Sequence, residues 1–166
     1  MENGVEKKGI KVAILTVSTK GFFNERKDVS GDIIENICKN NNFEIIKRDI
    51  INDNKRKIKK ILKYYADKLK VDLIITTGGT GFSPTDLTPE ATEEIADKKI
   101  YSLHQLILNE ILKKNKRAAL SRGISAIRKK SLIINLPGSP KAVEEDLNVI
   151  LDIIPHAIHI INGGGH

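Results

Sequence analysis

Apolar residues recur along this chain in two alternating rhythms. Three short runs, Lys11 to Ser18 (KVAILTVS), Asp72 to Thr77 (DLIITT) and Ser131 to Leu136 (SLIINL), carry apolar side chains at consecutive positions, as strands do when both faces of a sheet are covered. Phe43 to Ile50 is a fourth strand candidate. Between the runs the spacing changes to three and four: Ile33, Ile34 and Ile37; Ile58, Ile61, Leu62, Tyr65 and Leu69; Leu103, Leu106, Ile107 and Ile111. Each set forms a stripe on one face of a helix. Strand and helix in alternation predict βαβ crossovers, a mostly parallel sheet and a three-layer α/β/α sandwich. Leu120 to Arg128, the turn Lys129-Lys130 and the strand from Ser131 predict a hairpin that adds one antiparallel strand. The last helix is expected to start near Pro140 and bury Val143, Leu147, Ile150, Leu151 and Ile154, with Pro155 bending or restarting it.

A chain of 166 residues has room for one domain with a real core and no disulfides. No linker, repeat or biased tract divides it, so one domain is expected, its core over about 11–162 and its ends, 1–9 and 163–166, flexible. Hydrophobic residues make up 40% of the chain but aromatics only 4%, which makes the core aliphatic. Cys38 is the single cysteine, suited to a reducing compartment such as the cytosol, and its place beside Ile37 makes it a small core residue. No apolar run reaches the roughly 18 residues of a membrane span, and the N-terminus has no signal-peptide core. The net charge of +7 favours anions without choosing among nucleic acid, an acidic protein and a phosphorylated small molecule. Much of that charge lies in Lys55 to Lys60 and Lys113-Lys114, where Ile and Leu recur at helical spacing and a solvated helix face accounts for the lysines.

The segment Thr76-Thr77-Gly78-Gly79-Thr80-Gly81-Phe82-Ser83-Pro84-Thr85-Asp86 follows a strand and leads to Thr88-Pro89-Glu90, a helix start. Ligands of open parallel sheets bind at the carboxyl ends of strands, and glycines let backbone N–H groups approach a phosphate or a ring. Its spacing is neither that of a Walker loop nor of a dinucleotide fingerprint, and a ligand-free strand-to-helix turn is the competing explanation. A second segment, Leu136-Pro137-Gly138-Ser139-Pro140-Lys141-Ala142-Val143, also joins a buried strand to a helix whose N-terminus favours anions. Two such turns can face one ligand. Asp86, after the glycine turn, and Asp53, after the second strand, are expected on the same rim and together could hold Mg²⁺; turn capping is the alternative for each. Ser121-Arg122 and Arg128 offer guanidinium groups suited to a bidentate phosphate contact, against a surface role. His156 and His159 stand at a spacing some metal sites use but lack a third ligand, which favours packing or surface roles.

Taken together, Thr16-Val17-Ser18, Asp28-Val29-Ser30-Gly31, Thr77 to Pro89 (TGGTGFSPTDLTP) with Glu90-Ala91-Thr92, Ser121-Arg122, Ala126-Ile127-Arg128 and Leu132 to Val143 (LIINLPGSPKAV) resemble the MogA/MoaB molybdenum-cofactor family, whose domain recurs in the plant Cnx and gephyrin G domains. The likeness runs from about Lys11 to Asn162. It implies a molybdopterin-binding fold, usually trimeric and sometimes hexameric, that works with other molybdenum-cofactor proteins and transfers AMP from MgATP to the terminal phosphate of molybdopterin. By the same resemblance Asp86 is the catalytic aspartate and Asp53 the second acidic position, both toward Mg²⁺. Thr77, Gly78, Gly79, Thr80 and Gly81, with Pro137, Gly138, Ser139, Pro140 and Lys141, bind substrate, and Ser121 and Arg122 lie at the pocket. Three positions depart from the pattern: Thr85 where arginine commonly precedes the aspartate, Asn52 where proline precedes the acidic pair, and Lys129 where glycine usually follows Ala-Ile-Arg. The first removes a fixed positive charge, which a neighbouring lysine must replace if ATP is to bind well.

Phosphate attack on a nucleotide needs alignment and charge neutralisation more than a covalent nucleophile. Three other functions compete: a non-catalytic molybdopterin carrier of the MoaB type; a nucleotide hydrolase, disfavoured because such relatives generally carry further domains; and nucleic-acid binding, disfavoured because Phe22, Phe23, Phe43, Phe82 and three tyrosines form no stacking stripe.

Overall fold

The computed structural model describes residues 9–165; of the expectations for the chain ends, those on 1–8 and 166 lie outside the described residues. Six strands, β1 (Lys11–Val17), β2 (Glu44–Ile51), β3 (Leu73–Thr77), β4 (Lys98–Ile100), β5 (Ser125–Arg128) and β6 (Ser131–Leu136), form one sheet in the order β2-β1-β3-β6-β5-β4. β2, β1, β3 and β6 are parallel; β5 runs against both β6 and β4. The expected strands and the single reversed strand are present. β4 went unseen because a three-residue edge strand with two exposed lysines carries no apolar rhythm.

Both faces of the sheet are covered, which explains the unbroken apolar runs. Val12, Ile14, Leu73, Ile75, Leu132 and Ile134 face α2 (Val29–Asn40), α5 (Ser102–Leu112), α6 (Pro140–Ile150) and α7 (Ile154–Ile161). Ala13, Leu15, Val17, Ile74 and Ile133 face α3 (Lys55–Lys63) and α4 (Thr88–Ile95). The stripe Ile58, Leu62 and Tyr65 is buried as expected, although the helix widens into a π-helical turn, Tyr64–Leu69, that ends at Lys70 in a left-handed conformation. Pro155 restarts the last helix rather than bending it. The hairpin strand begins at Ser125, not at Leu120, because Lys116–Leu120 coils into a 3₁₀ turn. A further short helix, α1 (Thr19–Phe22), follows β1.

The strand after β1 lies on one side of it, as β2, and the next lies on the other, as β3. Chain order thus reverses between β1 and β3, and open α/β sheets take their ligands at the carboxyl ends of the strands near such a reversal.

Candidate functional site

β3 and β6 pair in parallel with Thr77 opposite Leu136, so the two glycine-bearing turns leave the sheet side by side. They are tied together. Gly78 N–H donates to the Leu136 carbonyl at 3.1 Å, and the Thr77 hydroxyl donates to the Pro137 carbonyl at 2.8 Å. From the first turn of α2, the Ser30 hydroxyl donates to the Gly138 carbonyl at 2.7 Å. That turn is itself held by Asp28, which caps Gly31 N–H and pairs with Arg48 at 2.9 Å. The Asp28-Ser30 motif therefore supports the second turn from behind.

Gly79, Thr80, Gly81 and Asp86 from the first turn, with Pro137, Gly138, Ser139 and Lys141 from the second, line one cavity of about 890 Å³. The N–H groups of Gly79, Thr80 and Gly81 at one turn and of Gly138 and Ser139 at the other donate to no described acceptor, while Ser139 Oγ caps α6 by accepting from Ala142 N–H. Both turns thus offer unspent backbone donors, as anion sites do. Asp86 folds back over Gly81, its Oδ2 accepting from Ser83 N–H at 3.0 Å. Ser121 joins this lining, its hydroxyl 3.4 Å from that of Thr80.

Other expected site residues stand behind the cavity or away from it. Thr77 and Gly78 are buried beneath the turns, and Pro140 occupies the exposed start of α6. Arg122 braces the glycine turn: Nε donates to the Gly81 carbonyl and Nη2 to the Asp86 carbonyl, each at 2.8 Å, while Nη1 meets the Glu90 carboxylate. Burial works against charge on Glu90, but the guanidinium outweighs it and holds the carboxyl below its usual range. Arg128 is likewise committed, to both Asp67 oxygens at 2.9 and 2.7 Å and to the Ile95 carbonyl. Asp53 holds the start of α1, its Oδ2 accepting from the Thr19 hydroxyl at 2.7 Å and from the Thr19 N–H at 3.2 Å; it is not part of the cavity lining. Asp86 thus lines the cavity, and Asp53 stands at the start of α1. His156 and His159 stack with ring centroids 6.3 Å apart, and among the described residues no group of three or more His, Cys, Asp or Glu could hold a metal. Cys38 is fully buried, and its thiol is pushed up to about 12 by that burial and by Glu35.

The opposite wall comes from residues with no motif to mark them. α5 and the segment after it contribute His104, Ile107, Leu108, Ile111, Lys114 and Arg117, and α6 contributes Glu145 and Asp146. His104 bridges the Ser125 hydroxyl (2.7 Å) and the Asn135 carbonyl (2.8 Å); the carbonyl can only accept, so Nε2 carries the proton and Nδ1 accepts from the serine. Burial lowers the pKa of this imidazole, offset only in part by the bond to Asn135. Lys114, Arg117 and Lys141 put three cations on the cavity, where the exposed Thr85 supplies none.

A family model described as "probable molybdopterin binding domain" matches residues 13–156. The chain is 36% identical to a molybdopterin adenylyltransferase of Helicobacter pylori, over 93% of this chain and 89% of that protein. It is 40% identical to the molybdenum cofactor synthesis protein cinnamon of Drosophila melanogaster over 92% of its own length, but spans only 26% of that longer protein. The solved structure of the molybdopterin biosynthesis enzyme MoaB from Thermus thermophilus superposes with a TM-score of 0.88 at 43% identity, over 93% of this chain and 97% of the other. With the sheet order, the paired turns and the sequence match in agreement, the chain belongs to the MogA/MoaB family of molybdopterin-binding proteins.

Proposed function

We propose that this protein is a molybdopterin adenylyltransferase of molybdenum-cofactor biosynthesis. A terminal phosphate oxygen of molybdopterin attacks the α-phosphorus of ATP, the bond to the oxygen bridging α- and β-phosphorus breaks, and pyrophosphate leaves with that electron pair. One observation carries the reading: two adjacent turns with unspent N–H donors, a carboxylate and three cations line a single cavity. The relatives that share the family and the name adenylyltransferase support it.

The backbone donors of Gly79 to Gly81 and of the Gly138-Ser139 turn hold phosphate oxygens without a conformational search, since both turns are already tied to each other. Lys114, Arg117 and Lys141 offset the charge of the two phosphorylated substrates. Asp86 fits the hard divalent cation that accompanies ATP: Mg²⁺ takes one or two carboxylates along with phosphate oxygens and water, and Asp86 Oδ1 has no described partner. Bound there, Mg²⁺ would neutralise triphosphate charge. Asp53, held by Thr19 at the start of α1, is the second carboxylate we assign to that cation.

Incubating the protein with molybdopterin and MgATP should release pyrophosphate, and Asp86→Asn should slow that release by about a hundredfold or more while shifting stability by under about 1 kcal/mol. Wild-type release no faster than that of Asp86→Asn removes the catalytic claim and leaves the non-catalytic carrier. We read the exposed apolar side chains Leu106, Leu112 and Leu120 as surface covered in a homotrimer or homohexamer, and the cytosol as the compartment. No described helix is long and apolar enough to cross a membrane.

A further inference from the structure

Away from the glycine turns, the cavity continues between α5 and α6 along an apolar wall of Ile107, Leu108 and Ile111. Asp146 lines it from α6. No described residue gives its carboxylate a hydrogen bond or an ion pair, and the adjacent Glu145 carries the same charge. A carboxylate left partly dry and unpaired works against the fold, and such a group has a use where a ligand brings the missing donors.

We propose that Asp146 recognises the pterin ring of molybdopterin, its two oxygens accepting hydrogen bonds from the ring N3–H and the 2-amino group. The inference rests on the molybdopterin reading above. Chemical complementarity selects this ring over adenine. An ionised carboxylate only accepts, and the 2-amino-4-oxo ring presents two neighbouring donors on one edge, the pattern that two carboxylate oxygens match. Adenine sets one donor beside a ring nitrogen that accepts, which a carboxylate repels. With the phosphate end of molybdopterin at the two turns, the ring extends along the apolar wall, where its faces are buried and its donor edge meets Asp146. Burial raises the Asp146 pKa to about 6, so the carboxylate is mostly ionised at neutral pH.

The test titrates the full-length protein with free pterin and with lumazine, whose 2-oxo group replaces the 2-amino donor by an acceptor. Wild type should prefer pterin by about ten- to a hundredfold, the range of a charge-assisted hydrogen bond, and Asp146→Asn should lose that preference. Its melting temperature at pH 7.5 should meanwhile rise by a few degrees, since an unpaired charge has been removed; a merely structural Asp146 would lower stability and leave the discrimination unmoved. Absent pterin binding by wild type, an unchanged preference in Asp146→Asn, or a variant that is less stable or fails to fold overturns the proposal. Pyrophosphate release followed in parallel separates the two claims. Ring discrimination lost in Asp146→Asn without any wild-type pyrophosphate removes adenylyl transfer and keeps the ring site. Pyrophosphate release with discrimination intact in the variant does the reverse.

Discussion

At Gly78 the backbone has φ +92°, and a Cβ would lie 2.2 Å from the Val17 carbonyl oxygen. Backbone against backbone leaves no flexible group to yield, so Gly78→Ala should lose about 2–4 kcal/mol in urea unfolding and loosen both turns at once. Gly81 makes a different case. Its φ is ordinary, and a Cβ would meet only Asp86 Oδ2 at 2.7 Å; Gly81→Ala should displace the carboxylate and slow pyrophosphate release with little change in the urea midpoint. If both variants lose stability equally, the distinction is wrong. The sequence showed that glycines were needed between β3 and α4 but not which contact each one makes, because Val17 and Asp86 reach them through the fold. At Lys129 the physical reason for a departure from the family pattern is visible: the residue takes φ +50° in the hairpin turn, where glycine sits without strain. Its N–H donates to Asp97 at 2.7 Å, and the hairpin keeps its register regardless.

Between elements, Arg122 joins the segment before β5 to the glycine turn and to α4, contacting Gly81, Asp86 and Glu90 from three different nitrogens. A lysine has one nitrogen and cannot reproduce that fork. Arg122→Lys should raise KM for both substrates, speed hydrogen exchange over residues 79–86 and cost roughly 1–3 kcal/mol of stability; exchange as slow as wild type in that turn would show that the brace is not needed. The strands and helices were legible because burial on both sheet faces and on one helix face writes a rhythm into the chain. The far wall of the cavity was not. Leu103, Ile107 and Ile111 form an ordinary core stripe, yet Ile107 and Ile111 also reach the cavity, and Lys114 and Arg117 look like surface charges until the 3₁₀ turn Lys116–Leu120 turns back over the site. Asp53 follows β2, which β1 separates from β3, and the rhythm of the chain did not show that its carboxylate accepts from Thr19 at the start of α1.

Over the whole molecule, two buried groups on the cavity give stability opposite dependences on pH. His104 has a folded pKa below its ordinary 6.5, so as pH falls beneath that value the unfolded chain gains the proton first and stability drops. Asp146 is raised from 3.8 to about 6; across that window the folded chain holds the extra proton, and stability falls as pH rises. The linkage slopes have opposite signs and each is limited to about 1.4 kcal/mol per pH unit. Asp146 is partly solvated, so its total penalty above pH 6 is about 1–2 kcal/mol once screening is allowed for. Paired carboxylates act only at lower pH: Glu35 and Asp67 are held below their ordinary values first by hydrogen bonds from Lys39 and Arg128 respectively, and that contribution is lost as pH falls past about 4. Between pH 4.5 and 6.5 the wild-type urea midpoint, measured at constant protein concentration because assembly would shift it, should therefore change less than it does when either group is removed. Asp146→Asn should expose a midpoint that climbs with pH through this range, and His104→Asn one that declines, whatever absolute stability it loses. Parallel profiles in the three proteins would mean that neither group titrates in the cavity as its surroundings require, and would remove the support that burial lends to Asp146 as a ligand-binding carboxylate.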